Sequence, residues 1–213
     1  MSLISGGKPT SSYKGIVVAF GGPPHSGKTV LVDEVYRQAL KRVPDRVFLQ
    51  QGCPDGEGRW FFELEDRDQA DKLRKKGEFT KEFTKFVLQA IGNLGKYFPL
   101  VLLDLGGKIT LENREIIRRS THLIILANTE DLAEAWKDLA TEEECVMLGV
   151  LRSYLVEQDK IEKGNPDTSS WIAISGDHLQ GNLINLIREG SPTTYESAAA
   201  QLAEHLIALS SRQ

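Results

Sequence analysis

Short, wholly apolar runs alternate along this chain with stretches in which apolar residues recur every three or four positions. The first run, Ile16-Val17-Val18-Ala19-Phe20, has the continuous hydrophobicity of a strand buried on both faces. Behind it, Leu31, Val32, Val35 and Ala39 keep helical spacing until Val43-Pro44, where the proline pushes its predecessor out of helical geometry. Further strands are predicted at residues 46–49, 100–103, 122–126, 146–151 and 171–174. A helix is predicted from the stripe Phe79, Phe83, Phe86, Val87, Ala90 and Leu94, ending near Gly95. Shorter helices are predicted at residues 111–119 and 130–140. A last one carries Tyr195, Ala199, Leu202, Leu206 and Leu209 and follows the start signal Ser191-Pro192-Thr193-Thr194. Strands separated by helices predict an α/β fold, with a mostly parallel sheet of five or six strands covered by helices on both faces. Residues 1–14 read as a flexible tail and residues 15–213 as a single domain, with no repeat or internal linker.

The turn after the first strand reads Gly22-Pro23-Pro24-His25-Ser26-Gly27-Lys28-Thr29, which is G-x-x-x-x-G-K-[ST] between a strand and a helix. This makes the expected fold that of a phosphate-loop NTPase. Glycines allow the backbone to curl until its N–H groups converge on an anion, and the following helix adds its positive end. Lys28 supplies a charge for the β- and γ-phosphates of ATP, and Thr29 a hydroxyl for Mg²⁺. Pro23 and Pro24 donate no N–H, so His25 to Thr29 is expected to do most of the phosphate holding.

Asp104 ends the apolar run at residues 100–103 and is followed by Leu105-Gly106-Gly107. A carboxylate at such a strand tip lies at the edge where α/β sheets bind ligands, and it is expected to orient Mg²⁺ together with Thr29. Gly106 and Gly107 allow a sharp turn close to the nucleotide. The segment Cys53 to Trp60 is rich in glycine and carries Asp55, Glu57 and Arg59. Asp55 and Glu57 are candidates for a general base or for contact with a second small-molecule or nucleotide ligand; an ordinary Asp-Gly turn is the structural alternative. The charges at residues 67–85 alternate in sign, as on a solvated helical face. Arg114, Arg118 and Arg119 suit a surface helix better than an arginine finger, and Arg152 remains a candidate for a phosphate contact. Asn128 and Ser175-Gly176-Asp177 end predicted strands and are candidates for touching a base. No Asn-Lys-x-Asp signature for guanine is present, so ATP is the expected nucleotide.

Composition narrows the partners. The net charge is −4, but residues 1–120 carry +5 and residues 121–213 carry −9, so the basic part coincides with the phosphate loop. This suits a nucleotide and gives no broad nucleic-acid surface. Two cysteines without paired spacing, Cys53 and Cys145, suit a reducing cytoplasm, and no apolar stretch approaches the length of a membrane span.

Taken together, Gly22 to Thr29, Cys53 to Trp60 and Asp104 to Gly107 resemble a phosphate-loop domain found with type III CRISPR systems and often fused to a ring nuclease that degrades cyclic oligoadenylates. The resemblance implies an ATP-binding, kinase-like or ATPase-like module in antiviral signalling, with a CRISPR-linked protein or a second copy as partner. It covers roughly residues 15–190, and the residues beyond are too few for the nuclease. The expectation is an Mg-ATP hydrolase controlling a partner. The alternatives are a phosphotransferase with its acceptor at Asp55 and Glu57, and a module that holds nucleotide without turnover.

Overall fold

Every residue of the first strand, β1 (Ile16–Gly21), is buried, and its side chains alternate between two hydrophobic layers. Ile16, Val18 and Phe20 enter one layer, and Val17 and Ala19 the other, as the two-residue period of a pleated strand requires. A computed structural model describes residues 13–53, 81–162, 165–188 and 192–212. After β1 come α1 (Lys28–Arg42), β2 (Val47–Gln51), α2 (Lys81–Tyr97), β3 (Leu100–Asp104), α3 (Leu111–Arg119), β4 (His122–Ala127), α4 (Glu130–Glu142), β5 (Val146–Tyr154), β6 (Trp171–Ser175), β7 (His178–Ile184) and α5 (Glu196–Ser210).

These strands form one sheet in the order β2-β3-β1-β4-β5-β7-β6. All neighbours are parallel except β6 and β7. Leu31, Val32, Val35 and Ala39 of α1 pack beside Ala199, Leu202, Leu206 and Leu209 of α5 on one face. On the other face, α2, α3 and α4 contribute Val87, Ile91, Ile116, Ile117, Trp136 and Leu139.

The sheet has seven strands, one more than the upper expectation of six. The added strand is β7, whose apolar residues are interrupted by Gln180, Gly181 and Asn182; only Leu179, Gly181, Leu183 and Ile184 are buried. Gly176, at φ 62°, and Asp177 make the tight turn that reverses the chain between β6 and β7. This reversal corrects one expectation. Ser175-Gly176-Asp177 lies at the opposite edge of the sheet from the loop after β1 and is not placed to touch a base there.

Helix α2 also differs from its predicted stripe. Phe83, Val87, Ile91 and Leu94 advance by four, four and three residues and face the core, whereas Phe86 is 59% exposed. Phe79 lies outside the described residues. Gly95 does not stop the helix, which runs on to Tyr97. It serves instead as a notch: a Cβ there would lie 2.6 Å from the ring of Tyr13.

Register then positions the site. Phe20 pairs with Asp104 on one side of β3, and Gln51 pairs with Asp104 on the other. The carboxylate is thereby set at the carboxyl edge of the sheet, level with the start of the loop after β1.

Candidate functional site

The loop from Gly22 to Gly27 is shaped by three residues with positive φ. Gly22 has φ 136°, and a Cβ on it would stand 1.9 Å from the carbonyl oxygen of Leu126. His25, exposed at the loop tip, has φ 61° although it is not a glycine. Gly27 has φ 80° and caps the start of α1; its Cβ would fall 2.6 Å from Cβ of Leu186, in the segment after β7. Alternation of hand along a turn aims successive N–H groups at one point and makes an anion nest.

The loop closes around its own lysine. Lys28 is 7% exposed, and its Nζ donates to the carbonyl of Pro23 at 2.7 Å and to Oγ of Ser26 at 3.3 Å. Ser153, from β5, donates to the carbonyl of Ser26 at 2.7 Å and ties the loop to the sheet. The first turn of α1 contains no acidic residue, whereas α3, α4 and α5 begin with Glu112, Glu130 with Asp131, and Glu196. The positive end of α1 is therefore left without a carboxylate of its own turn.

Asp104 is 7% exposed. Its carbonyl accepts from the N–H of Gly52 at 2.9 Å, while the next N–H, of Leu105, donates to Phe20 at 3.2 Å. The strand end is thus clamped from both sides. Gly107 then packs on the phosphate loop so closely that a Cβ would lie 2.5 Å from the nitrogen of Pro24. A Cβ on Gly106 would lie 2.9 Å from Sγ of Cys53.

Asn113 holds the far side of this turn. It is fully buried in the first turn of α3, and its Nδ2 donates to the carbonyls of Gly106 at 3.2 Å and Lys108 at 2.6 Å. Thr110 caps the same helix by accepting from the N–H of Asn113 at 3.3 Å. An asparagine three residues after a threonine that follows a Gly-Gly turn is the signal that could have found it.

Thr29 and Asp104 come together in the lining of one cleft of about 300 Å³, with Val32, Asp33, Tyr36, Leu49 and Gln51 completing the wall. Among the described residues, no group of three or more His, Cys, Asp or Glu side chains is placed to hold a metal. A hydroxyl and one carboxylate can supply two ligands to Mg²⁺, which ordinarily takes its remaining ligands from phosphates and water.

The other candidates disperse. Asp55 and Glu57 lie outside the described residues, although Gly52 and Cys53, which lead to them, sit against Asp104 and Gly106. Arg114 and Arg118 pair with Glu142 and Glu143 at the α3–α4 contact, with N–O distances of 2.5 Å to Glu142 and 2.7 Å from Arg118 to Glu143. They tie two helices together, and Glu143 is buried between them. Arg152 is exposed beside Glu130 at 3.7 Å, and Asn128 is exposed after β4. Among the described residues, no helix is long and apolar enough to cross a membrane.

No protein-family model matches the sequence, and no curated protein matches it either. Solved structures do match the fold. Cobyrinic acid a,c-diamide synthase from Mycobacterium smegmatis, with bound ADP and magnesium, superposes with a TM-score of 0.58 at 13% identity, covering 91% of this chain and 94% of that one. The septum site-determining protein MinD from Pyrococcus horikoshii, complexed with Mg-ADP, gives 0.56 at 12% identity over 90% and 95% of the two chains. ParA of pNOB8, bound to nonspecific DNA, gives 0.57 at 10% identity over 93% and 99%. With a mostly parallel sheet, helices on both faces and the loop Gly22 to Thr29 joining β1 to α1, the chain has the α/β fold of the phosphate-loop NTPases.

Proposed function

We propose that this chain binds Mg-ATP and hydrolyses it, as a phosphate-loop NTPase whose nucleotide state controls a partner. The observation that carries the reading is the closure of residues 22–27 around Lys28, with Thr29 and Asp104 on one adjoining cleft. The residues fit the group they are assigned. A triphosphate needs a nest of N–H groups, a mobile cation and an uncompensated helix N-terminus, and all three occur together here. In this reading Gly22, Pro23, Pro24, His25, Ser26, Gly27, Lys28 and Thr29 surround the phosphates. Thr29 and Asp104 hold Mg²⁺, and Gly106 and Gly107 bring backbone up to the phosphate end. Bound magnesium supplies charge neutralisation at the β- and γ-oxygens. Lys28 exchanges its contact with Pro23 for phosphate oxygens. Asp55 and Glu57 are assigned to orient the attacking water, in keeping with their chain position directly after the Gly52–Asp104 contact. Continuity of one sheet from β1 to β7 supports treating residues 15–213 as one domain.

The neighbours with bound ADP and magnesium support the nucleotide assignment. One neighbour is bound to nonspecific DNA, but a net charge of −4 supports no broad nucleic-acid surface on this chain. The link to CRISPR-associated signalling, with a protein partner or a second copy, rests on the resemblance of the segments 22–29, 53–60 and 104–107. A phosphotransferase reading has one observation in its favour, namely that the cleft beside Thr29 and Asp104 has room for a second small molecule.

Measured products separate these readings. Release of ADP and phosphate without an acceptor is expected, falling about 10²-fold or more in Lys28→Ala, the loss typical of one preorganised charge stabiliser. Turnover only on addition of a small molecule would favour the transferase, and saturable binding without turnover the passive module. Absence of Mg-ATP binding in calorimetry would sink the proposal.

A further inference from the structure

We propose that the cleft between α1 and β2 is a second ligand site, suited to a small organic cation with an apolar body. Two elements form it by their own periodicities. Thr29, Val32, Asp33 and Tyr36 stand at i, i+3, i+4 and i+7 on one face of α1, and Leu49 and Gln51 stand two apart on one face of β2. Asp104 closes the end at the carboxyl edge of β3. The volume, about 300 Å³, lies at the small end of pockets that take organic ligands.

The chemistry of the wall selects the occupant. Val32, Leu49 and the ring of Tyr36 offer an apolar surface. The polar residues are Thr29, Asp33, Gln51 and Asp104, so the cleft is lined by two carboxylates and no cationic side chain. An anion placed there meets repulsion and finds no compensating charge, whereas an ammonium gains from both carboxylates. Asp33 has acceptor capacity to spare. One of its oxygens, Oδ2, takes Arg37 at 2.9 Å across one helical turn, and Oδ1 accepts no hydrogen bond among the described residues. Arg37 itself does not line the cleft.

This site differs in sign from the phosphate loop, where Lys28 and the α1 N-terminus favour anions. The two share Thr29 and Asp104, so an occupant of the cleft would sit beside any metal held by that pair. Binding in the cleft goes beyond the ATP assignment and does not require it.

The test uses three probes with the same aromatic body and different charge: benzylamine, benzyl alcohol and benzoate. Each is titrated into the full chain without nucleotide and followed by amide chemical shifts. Benzylamine is expected to saturate, with shifts centred on Val32, Asp33, Tyr36, Leu49 and Gln51. Benzyl alcohol should bind at least fivefold more weakly, and benzoate should produce no shift there. Asp33→Asn should weaken benzylamine at least fivefold while Mg-ATP affinity stays at the wild-type value. Gln51→Lys, a half-buried wall position, should abolish benzylamine binding and admit benzoate. Thermal melting of both variants establishes that they are folded. The proposal is overturned if benzylamine does not bind, if benzoate binds as well as benzylamine, or if folded Asp33→Asn and Gln51→Lys leave the preference unchanged. Loss of Mg-ATP binding with benzylamine binding intact would remove the nucleotide reading alone.

Discussion

Two residues at the site carry the sharpest expectations. Gly22 combines φ 136° with a Cβ position 1.9 Å from a backbone oxygen, so an added methyl meets both strain and a wall that cannot turn aside. Gly22→Ala should cost about 3 kcal/mol or more, read as a drop in the denaturant midpoint at unchanged m. Asn113 acts through donors: its Nδ2 serves two carbonyls of the turn after Asp104. Asn113→Ala should cost about 2 kcal/mol. Asn113→Asp should cost more than Asn113→Ala, because it aims acceptors at acceptors; equal stability of the two variants would show that the side chain only fills space. Gly22 to Thr29 was legible because the chemistry fixes residue types at fixed spacing. Asn113 was not, since its partners are backbone carbonyls, which leave no trace in neighbouring residue types. Asp33 and Tyr36 escaped for another reason: helical periodicity draws attention to apolar positions, and these two lie at the margin of that stripe.

At the level of elements, apolar runs marked the buried strands well. β1, β3 and β4 are buried along their whole lengths, as parallel strands between helical layers must be. Ile124, fully buried in β4, should lose about 2–5 kcal/mol on change to alanine, measured by equilibrium unfolding. Helix limits set by proline and by capping were also legible, as at Val43-Pro44 and at Thr110 and Thr129. What failed was any feature that depends on a partner elsewhere in the chain. β7 is half polar because the edge strand β6 covers it, and Gly95 of α2 is kept small by a tyrosine 82 positions earlier. The turn that joins β6 and β7 gives a contrast with Gly22. Gly176 also has positive φ, but a Cβ on it would meet nothing within 4 Å. Gly176→Ala should therefore cost only about 1 kcal/mol, the backbone share alone; a loss as large as that of Gly22→Ala would mean that the turn is packed.

Across the whole molecule, the edge opposite the phosphate loop should respond to pH. His122 opens β4, and His205 in α5 is 8% exposed with Nε2 accepting or donating no hydrogen bond among the described residues. Burial pushes both imidazoles below the ordinary histidine value, against the pull of Asp177, with Arg212 adding to the depression at His205. For a base with a depressed folded pKa, the unfolded chain takes up protons first. Stability should therefore be full above pH of about 7, and fall as the pH drops below about 6.5 toward the folded values. A melting-temperature profile from pH 7.5 to 5 should show this decline, and His205→Gln should flatten it. An unchanged slope in that variant would assign the acid sensitivity to other groups.

The close seating of Gly107 on Pro24 and of Gly106 on Cys53 joins three loops into one contact. Of the two thiols in the chain, Cys145 is buried and Cys53 half-buried, so an alkylating reagent reaches Cys53 first. Any rearrangement of residues 22–27 that lifts Gly107 must also change the cover over that sulfur. The protein thus carries a built-in chemical clock: the rate of Cys53 alkylation reports the state of the phosphate loop without an added label.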